Sequence, residues 1–156
     1  MTVKERIAAL RARMKETGID AYLIPTDDFH GSEYVGEYFK CRKYITGFTG
    51  SAGTAVIMQV MAGLWTDGRY FIQAANQLEG TGITLFKMGE PEVPTVHEFL
   101  KKNLTQGMHL TFAFAEDIRY AILDHTTLGG IYDPISCGVG ESVGRAKRHP
   151  DPAGQR

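Results

Sequence analysis

Three stretches of this 156-residue chain carry side chains that could do chemistry. The glycine-rich run Gly47-Phe48-Thr49-Gly50-Ser51-Ala52-Gly53 is the first to test. A dinucleotide site needs G-x-G-x-x-G between a strand and a helix, so that the helix N-terminus faces the pyrophosphate. Here the spacing is G-x-x-G-x-x-G, and the β-branched run Thr54-Ala55-Val56-Ile57 after it reads as a strand. A nucleophile elbow needs glycine two residues before the serine, and Thr49 stands there, so Ser51 is not read as a nucleophile. A Walker loop needs G-K-[ST], which is absent. What remains is a backbone reading: glycines that permit positive φ and make a pliable connection between two strands.

Asp67-Gly68-Arg69-Tyr70 is the second stretch. Asp67 follows a short Leu64-Trp65-Thr66 strand and precedes a run in which Tyr70, Phe71, Ala74, Ala75 and Leu78 recur at helical spacing. Its carboxylate is placed to cap that helix, with a substrate-facing role for Asp67 or Arg69 as the sharper alternative. For Arg69 an ion pair within the domain is set above direct contact with a substrate carboxylate or a partner acid. The third stretch, Asp27-Asp28-Phe29-His30, could offer metal ligands. Catalytic metal sites draw their ligands from separate rigid elements, so loop or helix capping is the preferred reading there. His97 falls in a helix first turn and reads as solvent-facing.

The elements that must position these residues follow from periodicity. Thr2 to Glu5 is a capping-box pattern, and Val3, Ile7, Leu10 and Met14 fall on one face of the helix it opens. Gly18 closes that helix. Ile19 to Ile24 reads as a buried strand ended by Pro25. Ser32 to Phe39 reads as a short helix. Ala55 to Val60 is an apolar run, followed by a tight turn at Met61-Ala62-Gly63 that forces an antiparallel pair. Gly80-Thr81-Gly82 breaks the next helix, and Ile83 to Lys87 alternates as a half-buried strand. Glu90 to Pro94 is a stiff linker. Thr95 to Glu98 repeats the capping box, with Val96, Phe99, Leu100 and Leu104 as the apolar face. His109 to Phe114 alternates as another strand, and Glu116 to Leu123 forms a last helix. The alternation of helical and strand periods predicts an α/β fold: one mixed sheet of five or six strands with flanking helices.

Composition narrows the function classes. Net charge is −1, which gives no electrostatic case for nucleic acid or an anionic membrane surface. No apolar run reaches bilayer-spanning length. The two cysteines, Cys41 and Cys137, lie far apart without a C-x-x-C, which fits a reducing cytoplasm. Residues 138–156 are rich in Gly, Pro, Arg and Lys and read as a flexible or non-native tail, the product of a truncation or a change of frame. Residues 1–137 form the domain.

T-G-F-T-G-S-A-G-T-A, then G-L-W-T-D-G-R-Y-F-I-Q-A, preceded by I-P-T-D-D-F-H and S-E-Y, closely resembles the amino-terminal domain of Xaa-Pro aminopeptidases (aminopeptidase P) in the creatinase/prolidase superfamily. The resemblance runs from about Ile7 to Pro94-Thr95-Val96 and is expected to fade beyond Leu104. It implies a ribonuclease H-like sheet. It further implies that removal of an amino-terminal residue before proline, on two divalent metals, commonly manganese, belongs to a separate carboxy-terminal domain. On that reading this chain holds no catalytic residue, metal ligand or cofactor. Its partners are the parent's catalytic domain and further copies of itself. Its role is to aid oligomerisation and to cover the catalytic cleft. By the same resemblance, Phe48, Thr49, Ser51, Asp67, Arg69 and Tyr70 approach substrate or an interface, with Phe48 as a flat wall for a proline ring. The alternative is a free-standing interaction or small-ligand-binding domain that uses the 47–53 loop.

Overall fold

The computed structural model describes residues 1–26, 40–112 and the short strand at 131–132. The Asp27-to-His30 cluster, the Ser32-to-Phe39 and Glu116-to-Leu123 helices, Cys137 and the tail lie outside the described residues.

Helix α1 spans Val3–Thr17 and opens on the expected capping box: the Thr2 hydroxyl accepts from the Glu5 amide, and the Glu5 carboxylate accepts from the Thr2 amide. It ends on Gly18 at φ 71°, a conformation that costs glycine nothing. The sheet contains β1 (Ala21–Pro25), β2 (Thr54–Met58), β3 (Ala62–Thr66), β4 (Thr84–Lys87), β5 (Leu110–Phe112) and β6 (Ile131–Tyr132). Their order is β4-β3-β2-β1-β5-β6. The β1–β2, β2–β3 and β5–β6 pairs are antiparallel, and β3–β4 and β1–β5 are parallel, so the sheet is mixed, as expected.

The remaining helices are α2 (Cys41–Thr46), α3 (Phe71–Leu78) and α4 (Val96–Asn103). Helices α1, α2 and α3 cover one sheet face, burying Ile7, Leu10, Met14, Ile45, Ala74 and Leu78 against Tyr22, Ile24, Ala55, Ile57 and Leu64. On the other face α4, opened by the Thr95–Glu98 capping box, sets Phe99 against Val56 and Trp65. Trp65 stacks on Phe86 with centroids 4.1 Å apart, and its indole N–H donates to the Pro94 carbonyl at 2.8 Å. A ring buried this way contributes about 3 kcal/mol, and the bond to Pro94 fixes the entry to α4.

Two expectations are corrected. The β2–β3 turn is not at Met61-Ala62-Gly63. Ala62 and Gly63 are inside β3, paired with Ile57 and Val56, and the chain reverses between Met58 and Met61, where the Met58 amide donates to the Met61 carbonyl. Gly63 is glycine because a Cβ there would lie 2.7 Å from the Phe86 and Trp65 rings, so it marks a close ring approach and not a turn. The glycine loop likewise does not join two strands. It follows α2, whose end is capped by Gly47 at φ 76°.

Strand pairing decides where the loops go. Pro25 pairs with Thr54, Thr54 with Trp65, and Thr66 with Lys87. The exit of β1, the glycine loop before β2, the Asp67 turn after β3 and the exit of β4 therefore share one end of the sheet.

Candidate functional site

That shared end collects the residues singled out by sequence, and each is held by a neighbouring element. Asp67 caps a 3-10 turn at Gly68–Tyr70 that leads into α3, its carboxylate accepting from the Arg69 amide at 3.0 Å. The same carboxylate pairs with the Arg69 guanidinium through two bonds of 2.9 Å. Bonds from the Arg69 side chain, and then from its amide, hold the Asp67 carboxyl below the usual carboxylate range. The pair lifts Arg69 above its ordinary value. Both expected roles of this turn, the helix cap and the internal ion pair, are therefore present. The Arg69 side chain is still 70% exposed, with its guanidinium 5.3 Å from the Tyr70 ring centre.

Tyr70 connects the turn to the glycine loop. Its hydroxyl shares a 2.6 Å hydrogen bond with the Ser51 hydroxyl, and its ring meets Phe48 edge-on at 6.0 Å. Thr49 is fastened to α3: its amide donates to the Gln77 side chain at 2.9 Å, and its hydroxyl accepts from Gln73 and Gln77 at 2.8 and 2.9 Å. The loop carbonyls are taken by side-chain donors, two of them buried. Arg42 Nη2 donates to the Gly50 carbonyl, the Thr66 hydroxyl to Ala52 at 2.7 Å, and the Thr26 hydroxyl to Gly53 at 2.6 Å. A loop tied at this many points is a built surface, which corrects the reading of a pliable connection.

Thr49 and Ser51 are exposed, Asp67 and Tyr70 half-buried, and all four meet on one surface with Arg69. Phe48 is not on that surface. Its ring is fully buried beneath the loop, because it fills the space that the glycines leave: a Cβ on Gly50 would stand 2.3 Å from the Phe48 Cζ. The exposed wall expected for a proline ring is therefore absent at Phe48. His97 is exposed on α4, and Cys41 is buried at the start of α2. Among the described residues no three of His, Cys, Asp and Glu converge.

Arg42 is the residue that sequence reasoning missed. It is 5% exposed, with its guanidinium carbon 4.9 Å from the Phe48 ring centre. Burial lowers its pKa to about 10, opposed by the electrostatic pull of Tyr70. Among the described residues its Nε and Nη1 atoms have no hydrogen-bond partner. The available signal was helical spacing, since Arg42, Ile45 and Thr46 share one face of α2 and all are buried. That signal is legible only once the six-residue helix is recognised.

A family profile described as the Creatinase/Prolidase N-terminal domain matches residues 6–128. The chain belongs to that family. The match passes Leu104, where the resemblance was expected to fade. Aminopeptidase P2 of Arabidopsis thaliana is 48% identical over 109 residues, covering 69% of this chain and 15% of that protein. A probable Xaa-Pro aminopeptidase P of Laccaria bicolor is 47% identical over 117 residues, covering 72% of this chain and 18% of the relative. The chain thus spans less than a fifth of the length of either. Among solved structures, the X-prolyl aminopeptidase of Caenorhabditis elegans, described as a cytosolic enzyme with a di-nuclear active site, superposes with a TM-score of 0.65. It is 39% identical and covers 72% of this chain and 20% of its own. The Xaa-Pro dipeptidase of Bacillus anthracis gives a TM-score of 0.53 at 28% identity, covering 71% and 27%. The mixed sheet with flanking helices is thus the creatinase/prolidase N-terminal type. Among the described residues no helix is long and apolar enough to cross a membrane.

Proposed function

We propose that this chain is the non-catalytic amino-terminal domain of a metal-dependent Xaa-Pro aminopeptidase, acting in the cytoplasm. It shapes and covers the cleft of a catalytic domain and takes part in contacts between subunits. The carrying observation is the convergence of Thr49, Ser51, Asp67, Arg69 and Tyr70 on one surface of a domain whose relatives are aminopeptidases. Two divalent ions such as manganese would be held by the catalytic domain, where they would supply Lewis-acid activation of the hydrolytic water. No residue of this chain is assigned to them.

Within this domain, Asp67 holds the Arg69 guanidinium through two nitrogens, fixing its direction before substrate arrives. The Ser51–Tyr70 hydroxyl pair offers a polar edge beside it. A closing surface of this kind excludes water and orients peptide, and both effects favour the reaction without a bond being broken here.

The test compares two proteins in the presence of manganese. The 156-residue chain alone is expected to release no amino acid from an Xaa-Pro peptide. Its fusion to the catalytic portion of the Caenorhabditis elegans relative is expected to do so, and to raise KM when Arg69→Ala and Ser51→Ala are combined. Turnover by the chain alone, or a fusion indifferent to those changes, overturns the proposal.

A further inference from the structure

The unused group at this end of the molecule is the Arg42 charge. Its guanidinium is lodged inside the curl of the glycine loop: Nη2 bonds the Gly50 carbonyl, and Nη1 lies 2.8 Å from where a Gly53 Cβ would stand. Among the described residues Nε and Nη1 have no hydrogen-bond partner, and no ion pair includes Arg42. A buried cation with no acid beside it among the described residues is costly, and its field is weakly screened by the protein around it. Such a charge favours an anion nearby.

The loop above it turns hydrogen-bond donors outward. In a trans peptide the carbonyl and the following amide point in opposite directions. Arg42 and Thr66, both buried, hold the Gly50 and Ala52 carbonyls toward the body. The amides of Ser51 and Gly53 are therefore turned away from it. Among the described residues neither amide meets an acceptor. Beside them the Ser51 and Tyr70 hydroxyls share one hydrogen bond, which leaves one O–H of the pair free to donate elsewhere. Two backbone amides and a hydroxyl over a buried cation form the donor set that takes a small anion.

We propose that the loop crest from Ser51 to Gly53, bounded by the Tyr70 hydroxyl and underlain by the Arg42 guanidinium, is a carboxylate-binding subsite. The planar carboxylate has two acceptor oxygens, one for the paired amides and one for the hydroxyl. Resting on the function proposed above, its source is the carboxy-terminal group of a short Xaa-Pro peptide. A free small carboxylate is the other source of the same chemistry.

Titration of the full 156-residue chain at low salt, read from amide chemical shifts, tests this with acetate, glycyl-proline and glycyl-prolinamide. The Ser51 and Gly53 amides are expected to shift saturably with acetate and with glycyl-proline, and to ignore the prolinamide, which lacks the charge. A response to glycyl-proline but not acetate supports the subsite and assigns it to peptide. A response to acetate alone supports it as a site for free carboxylates. Equal responses to all three, or none, overturn it. Tyr70→Phe keeps the ring against Phe48 and is expected to weaken acetate about three- to tenfold, the worth of one hydrogen bond. Unchanged affinity in that variant removes the Tyr70 hydroxyl from the site and overturns the proposal as stated. Arg42→Met is expected to weaken acetate further, and if it fails to fold Tyr70→Phe still decides. Because binding is read without a catalytic domain, the subsite can fail while the peptidase reading stands, and the reverse.

Discussion

The two ends of the sheet are built on opposite terms. At the end described above, three loop carbonyls are held by Arg42, Thr66 and Thr26, and a Cβ on Gly50 or Gly53 would strike a neighbour. At the other end the β2–β3 hairpin closes through the backbone bond between Met58 and Met61, with Val60 93% exposed at its tip. The first end is sterically and polarly overdetermined, and the second needs only a turn. Overdetermination at an exposed loop is what a binding surface requires, because a donor set must be fixed before ligand arrives.

That contrast can be broken by substitution. The largest effect is expected from Gly50→Ala, which forces the Phe48 and Tyr70 rings apart and is expected to cost about 3 kcal/mol by overpacking. A denaturation midpoint close to that of the unsubstituted chain would show that the loop yields and the overdetermination is apparent only. Next, Thr66→Val keeps the shape but leaves the Ala52 carbonyl without its buried donor, an expected loss of about 1–2 kcal/mol in chemical denaturation.

Asp67→Asn is milder and is best read against pH. Bonds from Arg69 depress the Asp67 carboxyl, so the folded state favours its ionised form. That stabilising contribution is complete above the ordinary carboxylate value of about 4 and is lost as pH falls through the depressed value. Glu5 and Glu98, depressed by bonds from Thr2 and Thr95, follow the same sign. Melting temperature is expected to drop on acidification from pH 6 to 3, and to drop less in Asp67→Asn. Equal drops would mean the ion pair does not persist in solution. The smallest effect is expected at the far end, where Val60→Ser should change stability by no more than about 0.5 kcal/mol.

The parts legible in the sequence were those governed by local rules. Both capping boxes, the Gly18 helix end and the Asp67 cap depend on residues within four positions of each other, and all are in the structure. What failed depended on contacts across the sheet. Gly63 looked like a turn residue because its reason for being glycine, the Phe86 ring, is remote in sequence. Helix α2 is six residues long, has Lys40 at its N-cap position with no side-chain cap bond, and carries Arg42 on its buried face, so neither length nor apolar pattern announced it. The short strand at 131–132 gave no period to read. Phe48 was legible as an aromatic in a loop, but its burial follows from glycines that leave room for the ring beneath them.

The stacked indole of Trp65 gives the fold an internal gauge. It is the chain's only tryptophan, and it sits one residue before Thr66, so a single emission spectrum senses the neighbourhood of both the α4 joint and the anchored loop. Red-shifted emission reports water reaching the ring when α4 lifts off Phe86. A loosened loop over an intact aromatic stack leaves the wavelength nearly still, which separates global unfolding from local opening without any added label.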